Sequence, residues 1–175
     1  MESKAHEVLV LRNGSAELGV APSLGACIAF YRSEFRGAQR DWLHPAPDPL
    51  LHGILPGETG CFPLVPFSGR IRQGQLRFGG QTQTLPVNPR YAPHAIHGHG
   101  WMEIWDVEAH STDMLRVAYH HTPDAWCWEY KATLTFRLSE TALTVEMTLR
   151  NEDEAPMPAG LGLHPYFPKT PGATI

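Results

Sequence analysis

Strict alternation of apolar and polar side chains is the feature of this sequence that most constrains its fold. Over residues 132–138, Ala, Leu, Phe and Leu alternate with Thr, Thr and Arg, and a similar alternation runs over 143–149. Successive side chains of a β-strand point to opposite faces, so both runs predict strands with one buried face. The turn-forming residues 139–141 separate the two runs, and the whole segment therefore predicts a β-hairpin.

Shorter apolar runs and turn signals predict further β-structure along the chain. Asn13-Gly14 is typical of a two-residue hairpin turn, and Gly79-Gly80 predicts a second tight turn. No stretch shows a convincing 3.6-residue period, and the 16 glycines and 16 prolines favour short elements joined by turns. The sequence therefore predicts an all-β protein, an antiparallel sandwich or barrel. The further strands are expected at 7–12, 16–20, 26–31, 75–78, 105–109 and 115–120.

Charge and hydropathy exclude several classes of partner. The formal net charge of −4 argues against nucleic acid, whose binding requires a basic patch. No apolar run approaches the roughly 18 residues of a transmembrane span, so we expect no membrane partner. The N-terminus lacks the apolar stretch and cleavage site of a signal peptide, and the three cysteines imply no disulfide framework. We therefore expect a cytoplasmic protein.

Residues 43–67 depart from the strand pattern. This stretch is rich in proline and also carries Trp42 at its start and Phe62 and Phe67 within it. We expect a long ordered loop, which either coats the core or forms a wall of a pocket, because loops on rigid sheets commonly carry function.

The ten histidines of the chain include three between positions 94 and 99. Imidazole can hold a metal ion or transfer protons near neutral pH. The spacing of His97, His99 and Glu103 resembles the first metal-binding motif of cupins, in which two histidines on one strand face share an ion. The rest of that pattern is absent, since His stands at position 110 and Pro at position 168. We therefore predict no metal site and keep a cupin-like metalloprotein as a less favoured alternative.

Three residues stand in contexts typical of a binding site. His97 is followed by Gly98, which lets backbone or ligand approach closely. His164 immediately precedes the rigid Pro165. Arg70 lies between apolar and glycine positions, where its guanidinium fork suits sugar hydroxyls or a carboxylate.

Four segments, taken in order, resemble the aldose 1-epimerase (galactose mutarotase) family. The last of them ends in His164-Pro-Tyr-Phe167, which looks like a signature of that family. The resemblance spans nearly the whole chain, and the four segments together make it specific. The other three segments are residues 67–71 with Gly74 and Phe78, residues 95–98 with Trp101 and Trp105, and Trp126-x-Trp128.

The resemblance implies an antiparallel β-sandwich of the galactose mutarotase-like type with a sugar site on its concave face. The family interconverts the α and β anomers of a hexose, which requires a base at the C1 hydroxyl and an acid at the ring oxygen. By resemblance His164 would be the catalytic acid and His97 would hold and polarise the sugar. Arg70 would bind hydroxyls, and Trp128 would stack on the sugar or pack in the core. No cofactor is implied.

Two departures from the family pattern modify this expectation. Position 69 is Gly where the family usually has Asn, which removes one polar contact. Family members also continue well beyond the His-Pro-Tyr-Phe segment, and that part holds their general-base glutamate and a sugar-binding aspartate. Glu58, Glu103 and Glu129 lack the motif context of that base. We therefore expect residues 1–175 to form a single, incomplete domain, truncated at the C-terminus and weak or inactive in catalysis.

Uncovered strands invite pairing with another chain, so we expect a homo-oligomer. Two alternatives keep the same fold. One is a non-catalytic carbohydrate-binding protein. The other is a hexose-6-phosphate mutarotase, in which Arg70, Arg72, Arg77 and Arg90 are available to bind phosphate.

Overall fold

Two antiparallel β-sheets pack face to face in this protein. The structure, a computed structural model, describes residues 5–48, 51–169 and 172. Within them the strands are β1 (Leu9–Asn13), β2 (Ala16–Ala21), β3 (Cys27–Phe35), β4 (Ala38–Asp41), β5 (Cys61–Leu64), β6 (Arg70–Ile71), β7 (Gln75–Phe78), β8 (Gln81–Thr84), β9 (Ala95–Ile96), β10 (Asp106–His110), β11 (Met114–His121), β12 (Tyr130–Leu138), β13 (Leu143–Asn151) and β14 (Gly162–Pro165).

The larger sheet has the order β1-β2-β3-β5-β14, with β4 beside β3, and the smaller sheet has the order β10-β11-β12-β13. Two short ribbons, β6-β9 and β7-β8, complete the described strands. Helical structure is limited to 3₁₀ turns at Pro56–Glu58, Arg72–Gly74, Pro89–Tyr91 and Gly100–Met102. No helix in the described ranges is long and apolar enough to cross a membrane.

The core lies between the two sheets. Leu134 and Phe136 of β12 are buried and belong to one apolar cluster with Leu11 and Leu18 of the opposite sheet. β12 pairs with β13 in the register that joins Leu138 to Leu143, as the alternating pattern predicted. The predicted all-β, antiparallel sandwich is therefore confirmed.

The two predicted turns have different outcomes. Gly79 and Gly80 join β7 to β8 with φ of 57° and 77°, the two positive angles that a type I′ turn requires. The β1–β2 turn consists instead of Gly14 and Ser15, one residue later than predicted. Asn13 is still in the ladder, paired with Ala16, and its amide nitrogen donates to the Leu138 carbonyl at 3.1 Å.

The prediction of a continuous loop over residues 43–67 is wrong. This segment contains β5, whose four residues are all buried and which lies between β3 and β14. A strand covered on both faces shows no alternation, and Pro63 within it argues further against a strand. Positions 49 and 50 of the predicted loop lie outside the described residues.

Candidate functional site

A cavity of about 370 Å³ brings together three of the four residues predicted for the site. His97, His164 and Arg70 all line it. Leu55, Glu58 and Phe62 also line it, so residues from the 43–67 segment form part of its wall. The same segment contributes buried Leu43 and Leu64 to the core. The 43–67 segment therefore both covers the core and forms a wall of a pocket.

Strand pairing places His164. β14 pairs antiparallel with β5, which sets His164 opposite Phe62, and the two rings stack at 4.8 Å between centroids with an interplanar angle of 9°. The His164 Nδ1 atom is buried and has no hydrogen-bond partner among the described residues. The nitrogen that the ring can offer to a ligand is therefore Nε2.

His97 lies in a tight turn just after β9. Its φ of 62° is in the left-handed region, where histidine is one of the more common non-glycine residues. Its backbone N–H donates to the Gly69 carbonyl at 2.9 Å, and its ring Nδ1 accepts from the Gly69 N–H at 3.2 Å. Because Nδ1 is an acceptor, the ring proton of neutral His97 is on Nε2, a tautomer assigned from this network.

The charge state of His97 follows from its surroundings. Burial, assisted by the nearby His164 and Arg70, lowers the pKa of His97 below its usual value. The His97 and His164 ring centroids are 5.4 Å apart in an edge-to-face arrangement. His97 therefore offers a neutral N–H donor beside the ring of His164.

Gly98 fixes the backbone that carries His97. Its φ is 70°, and a Cβ atom at this position would lie 2.1 Å from the Val65 carbonyl oxygen. That oxygen accepts hydrogen bonds from the N–H groups of His99 and Gly100, both at 3.1 Å. The close approach to Val65 therefore requires glycine at position 98.

Arg70 is held at the cavity by the β6-β9 ribbon, in which it pairs with Ile96. The preceding Gly69 has φ of 81°, and a Cβ atom there would meet nothing within 4 Å. Asparagine tolerates this left-handed conformation better than most residues. The glycine at position 69 therefore keeps the backbone that an asparagine would adopt and removes only its side-chain amide.

The cavity has a positive electrostatic bias. Arg70 and Arg90 both line it, and neither forms an ion pair with a described residue. Glu58 is the one carboxylate among the described lining residues, and its Oε2 accepts from the Leu55 N–H at 2.9 Å. Two unpaired guanidinium groups favour an oxygen-rich or anionic ligand.

Trp128 is not brought to this cavity. It is 7% exposed and packs in the core against Trp126 and Phe78, with ring centroids 5.2 and 5.7 Å away. Aromatic residues that do line the cavity include Tyr91 and Tyr166, which the sequence reasoning missed. Tyr166 follows His164 by two positions, whereas no local pattern distinguishes Tyr91.

The structure separates the two histidines of the cupin-like alternative. His97 has left-handed backbone geometry, so the alternation of a strand does not apply to it. His99 lines a different cavity, and its Nε2 lies 2.7 Å from the Tyr130 hydroxyl. Elsewhere, the Nε2 atom of the exposed His120 lies 3.1 Å from the half-buried Glu129 and 2.7 Å from the half-buried Glu152, beside the smaller sheet.

The burial of His99 predicts a pH-dependent stability. Burial and the nearby His121 lower the pKa of His99 from the usual histidine value of 6.5 to about 4. Between these two values the unfolded chain binds more protons, so the free energy of unfolding falls as pH drops through this window. The loss from one such group is up to about 1.4 kcal/mol per pH unit.

Urea denaturation at pH 7.5 and pH 5 measures this effect in the wild type and in His99→Gln. We expect the wild type to lose more stability than the variant on acidification. An equal loss in both proteins would show that another group is responsible.

Comparison with known proteins identifies the family to which the sequence is similar. The sequence profile of the family described as Aldose 1-epimerase matches residues 7–174. The uncharacterized protein YphB of Escherichia coli (strain K12) is 30% identical over 168 residues, which are 96% of this chain and 54% of that protein. The uncharacterized protein YihR of the same organism is 30% identical over 106 residues, or 59% of this chain and 34% of that protein. The chain thus spans about half the length of YphB.

Two solved structures support the fold. A crystal structure of an E. coli K12 protein that carries the same family's name is 30% identical, with a TM-score of 0.81 over 94% of this chain and 53% of that one. A galactose mutarotase-like protein from Clostridium acetobutylicum is 21% identical, with a TM-score of 0.79 over 91% of this chain and 50% of that one. The predicted sandwich type is therefore confirmed.

Proposed function

The chain belongs to the aldose 1-epimerase family, and from this membership we propose that it binds a hexose and interconverts its α and β anomers. The observation that carries the proposal is the convergence of His97, His164 and Arg70 on one cavity. Strands distant in sequence bring these side chains together. A core-packing requirement alone does not explain two imidazoles and an unpaired guanidinium in one cavity.

Anomer exchange proceeds through the open-chain aldehyde. His164 donates a proton to the ring oxygen as the bond between that oxygen and C1 breaks, while a base removes the C1 hydroxyl proton and C1 becomes a carbonyl. Rotation about the C1–C2 bond and ring closure then give the other anomer. His97 stays neutral and donates its Nε2 proton in a hydrogen bond to a sugar oxygen, which its lowered pKa favours.

Glu58 is the group available as base among the described residues that line the cavity. One of its oxygens already accepts the Leu55 N–H, and the side chain is exposed. An exposed carboxylate engaged in this way is a poorly positioned base. We therefore propose that the acceleration produced by this chain alone is small.

Polarimetry tests the proposal directly. Freshly dissolved α-galactose and α-glucose are followed to equilibrium with and without the protein. We expect the optical rotation to change faster with protein, in proportion to its concentration. A rate equal to the spontaneous one, with sugar binding still detected by calorimetry, would instead identify a carbohydrate-binding protein.

A second candidate substrate is a hexose 6-phosphate. Arg70 and Arg90 line the cavity without ion-pair partners among the described residues, whereas Arg72 and Arg77 do not line it. If the substrate is a hexose 6-phosphate, we expect glucose 6-phosphate to raise Tm more than glucose does. In Arg90→Ala the two ligands should raise Tm equally. Equal shifts for the two sugars would favour the unphosphorylated hexose.

We also propose that two copies associate through the outer edge of β14. Among the described strands β14 lies at one end of the larger sheet, Leu163 within it is 39% exposed, and Phe167 just after it is 71% exposed. An exposed sheet edge beside apolar side chains favours strand pairing with a second copy. Light scattering after size exclusion is expected to give twice the 19.5 kDa chain mass, and a monomer mass would contradict the pairing.

A further inference from the structure

We propose that the chain has a second ligand site, for a neutral polyhydroxylated ring such as a monosaccharide. It is a cavity of about 240 Å³ that adjoins the turn formed by His97, Gly98 and His99. Gly98 and His99 line this cavity, whereas His97 lines the first one. One turn thus presents two imidazoles to two neighbouring cavities, which share Ile96 as a lining residue.

A buried hydrogen-bond network makes His99 a donor towards this second cavity. Tyr130 is fully buried, and its hydroxyl lies 2.7 Å from the His99 Nε2 atom, its hydrogen-bond partner in the described structure. A buried hydroxyl has to donate its proton, so Nε2 is the acceptor. The proton of neutral His99 is therefore on Nδ1, and this N–H is the one that the ring can offer to a ligand.

The neighbouring His121 packs against His99 and is itself fixed by hydrogen bonds. It is 3% exposed, and its Nε2 donates to the Trp126 carbonyl at 2.9 Å, so that its Nδ1 accepts from the Tyr119 hydroxyl at 3.2 Å. The His99 and His121 rings lie 4.4 Å apart between centroids, and this proximity adds to burial in lowering the pKa of His99. The His99 ring is thus held by a hydrogen bond to the buried Tyr130 and by packing against His121, whose own ring is fixed by the half-buried Tyr119 and the Trp126 carbonyl.

The acceptors of the second cavity are carboxylates. Glu103 and Asp124 line it, and none of its described lining residues is Lys or Arg. Asp124 is positioned by a hydrogen bond from the Trp126 N–H to its Oδ1 at 2.8 Å. Two carboxylates without a cation repel an anion and accept from hydroxyl groups, which is the opposite of the Arg-lined first cavity.

An apolar wall completes the second cavity. Phe67 stacks on Trp126 with 5.9 Å between ring centroids and an interplanar angle of 27°, and both residues line the cavity together with Met102. An apolar wall opposite a few oriented polar groups is the usual composition of a small-molecule site. The C–H face of a sugar ring fits this wall while its hydroxyls reach Glu103 and Asp124.

Methyl β-galactoside is a suitable probe because its anomeric carbon is locked and it cannot undergo anomer exchange. In ¹⁵N-labelled protein we expect this probe to shift the backbone amide signals of Glu103, Asp124 and Trp126. The shifts should persist in His164→Ala, which alters only the first cavity. In Glu103→Gln/Asp124→Asn, which keeps side-chain size but replaces one acceptor oxygen of each carboxylate with a donor NH2 group, we expect Kd to rise by about tenfold or more.

The controls separate this site from the proposed enzyme activity. Glucose 6-phosphate is expected to leave the three amide signals unshifted, because the carboxylates repel its phosphate. The Tm of each variant establishes that it is folded. Absence of shifts at these amides, or the same Kd in Glu103→Gln/Asp124→Asn as in the wild type, would overturn the second site even if anomer exchange is observed.

Discussion

His164→Ala is expected to abolish the acceleration of anomer exchange above the spontaneous rate, because a positioned general acid usually contributes about 10²- to 10⁴-fold. The substitution removes the imidazole that would protonate the ring oxygen. It leaves strand β14 in place, since the backbone pairing with β5 does not use this side chain. The ring of His164 is stacked on Phe62, so some stability is also lost.

His110→Ala is the matched control for this experiment. His110 lies on β10 and is exposed, and its side chain makes no hydrogen bond or ion pair among the described contacts. Polarimetric rates of the wild type and both variants are compared at equal concentration, with Tm measured for each. A His164→Ala protein that retains the wild-type rate would show that the acid lies elsewhere.

Gly98→Ala is expected to lower the free energy of unfolding by roughly 3 kcal/mol or more. A methyl group at this position would lie 2.1 Å from the Val65 carbonyl oxygen and 2.7 Å from the Pro66 Cδ atom. The backbone has to move, and the N–H groups of His99 and Gly100 then lose their bonds to Val65. Because His97 precedes this glycine, sugar affinity should fall together with stability.

Gly80→Ala separates the two contributions to this loss. Gly80 has a similar φ of 77°, but a Cβ atom there would meet nothing within 4 Å. This variant therefore reports the left-handed backbone alone, for which we expect about 1–2 kcal/mol. Urea denaturation at one pH compares the two, and equal losses would contradict the steric role assigned to Val65.

The regular strands of the fold could be predicted from the sequence because the alternation of apolar and polar residues that defines them lies within short segments. The alternation over 132–149 determines which face of β12 and β13 is buried, and their register follows from the short turn between them. Strand β5 could not be predicted in this way. It is buried on both faces and contains Pro63, so neither alternation nor composition identifies it.

The site could be predicted in part. His97, His164 and Arg70 were identified from their contexts and from the family resemblance, and all three line one cavity. Their convergence depends on the β5-β14 and β6-β9 pairings, which no short sequence pattern encodes. Glu58 and Tyr91 reach the cavity from 3₁₀ turns, whose sequences resemble those of ordinary surface turns.

The spacing of two residues along the sequence does not predict which side chains share a face where the backbone leaves the strand conformation. His97 and His99 are two positions apart and would share a face in a strand. The left-handed φ of His97 and Gly98 instead directs the two side chains to different cavities. Trp128, for which both sugar stacking and core packing were expected, lies in the core because β-sandwich packing buries it.

A crystal structure of the protein soaked with galactose tests most directly where the sugar binds. We expect the ring oxygen within about 2.6–3.2 Å of the His164 Nε2 atom. His97 Nε2 and the Arg70 guanidinium should each donate to sugar oxygens in the same cavity. Sugar bound only at a distance from all three side chains, with their cavity occupied by solvent, would contradict the proposed site.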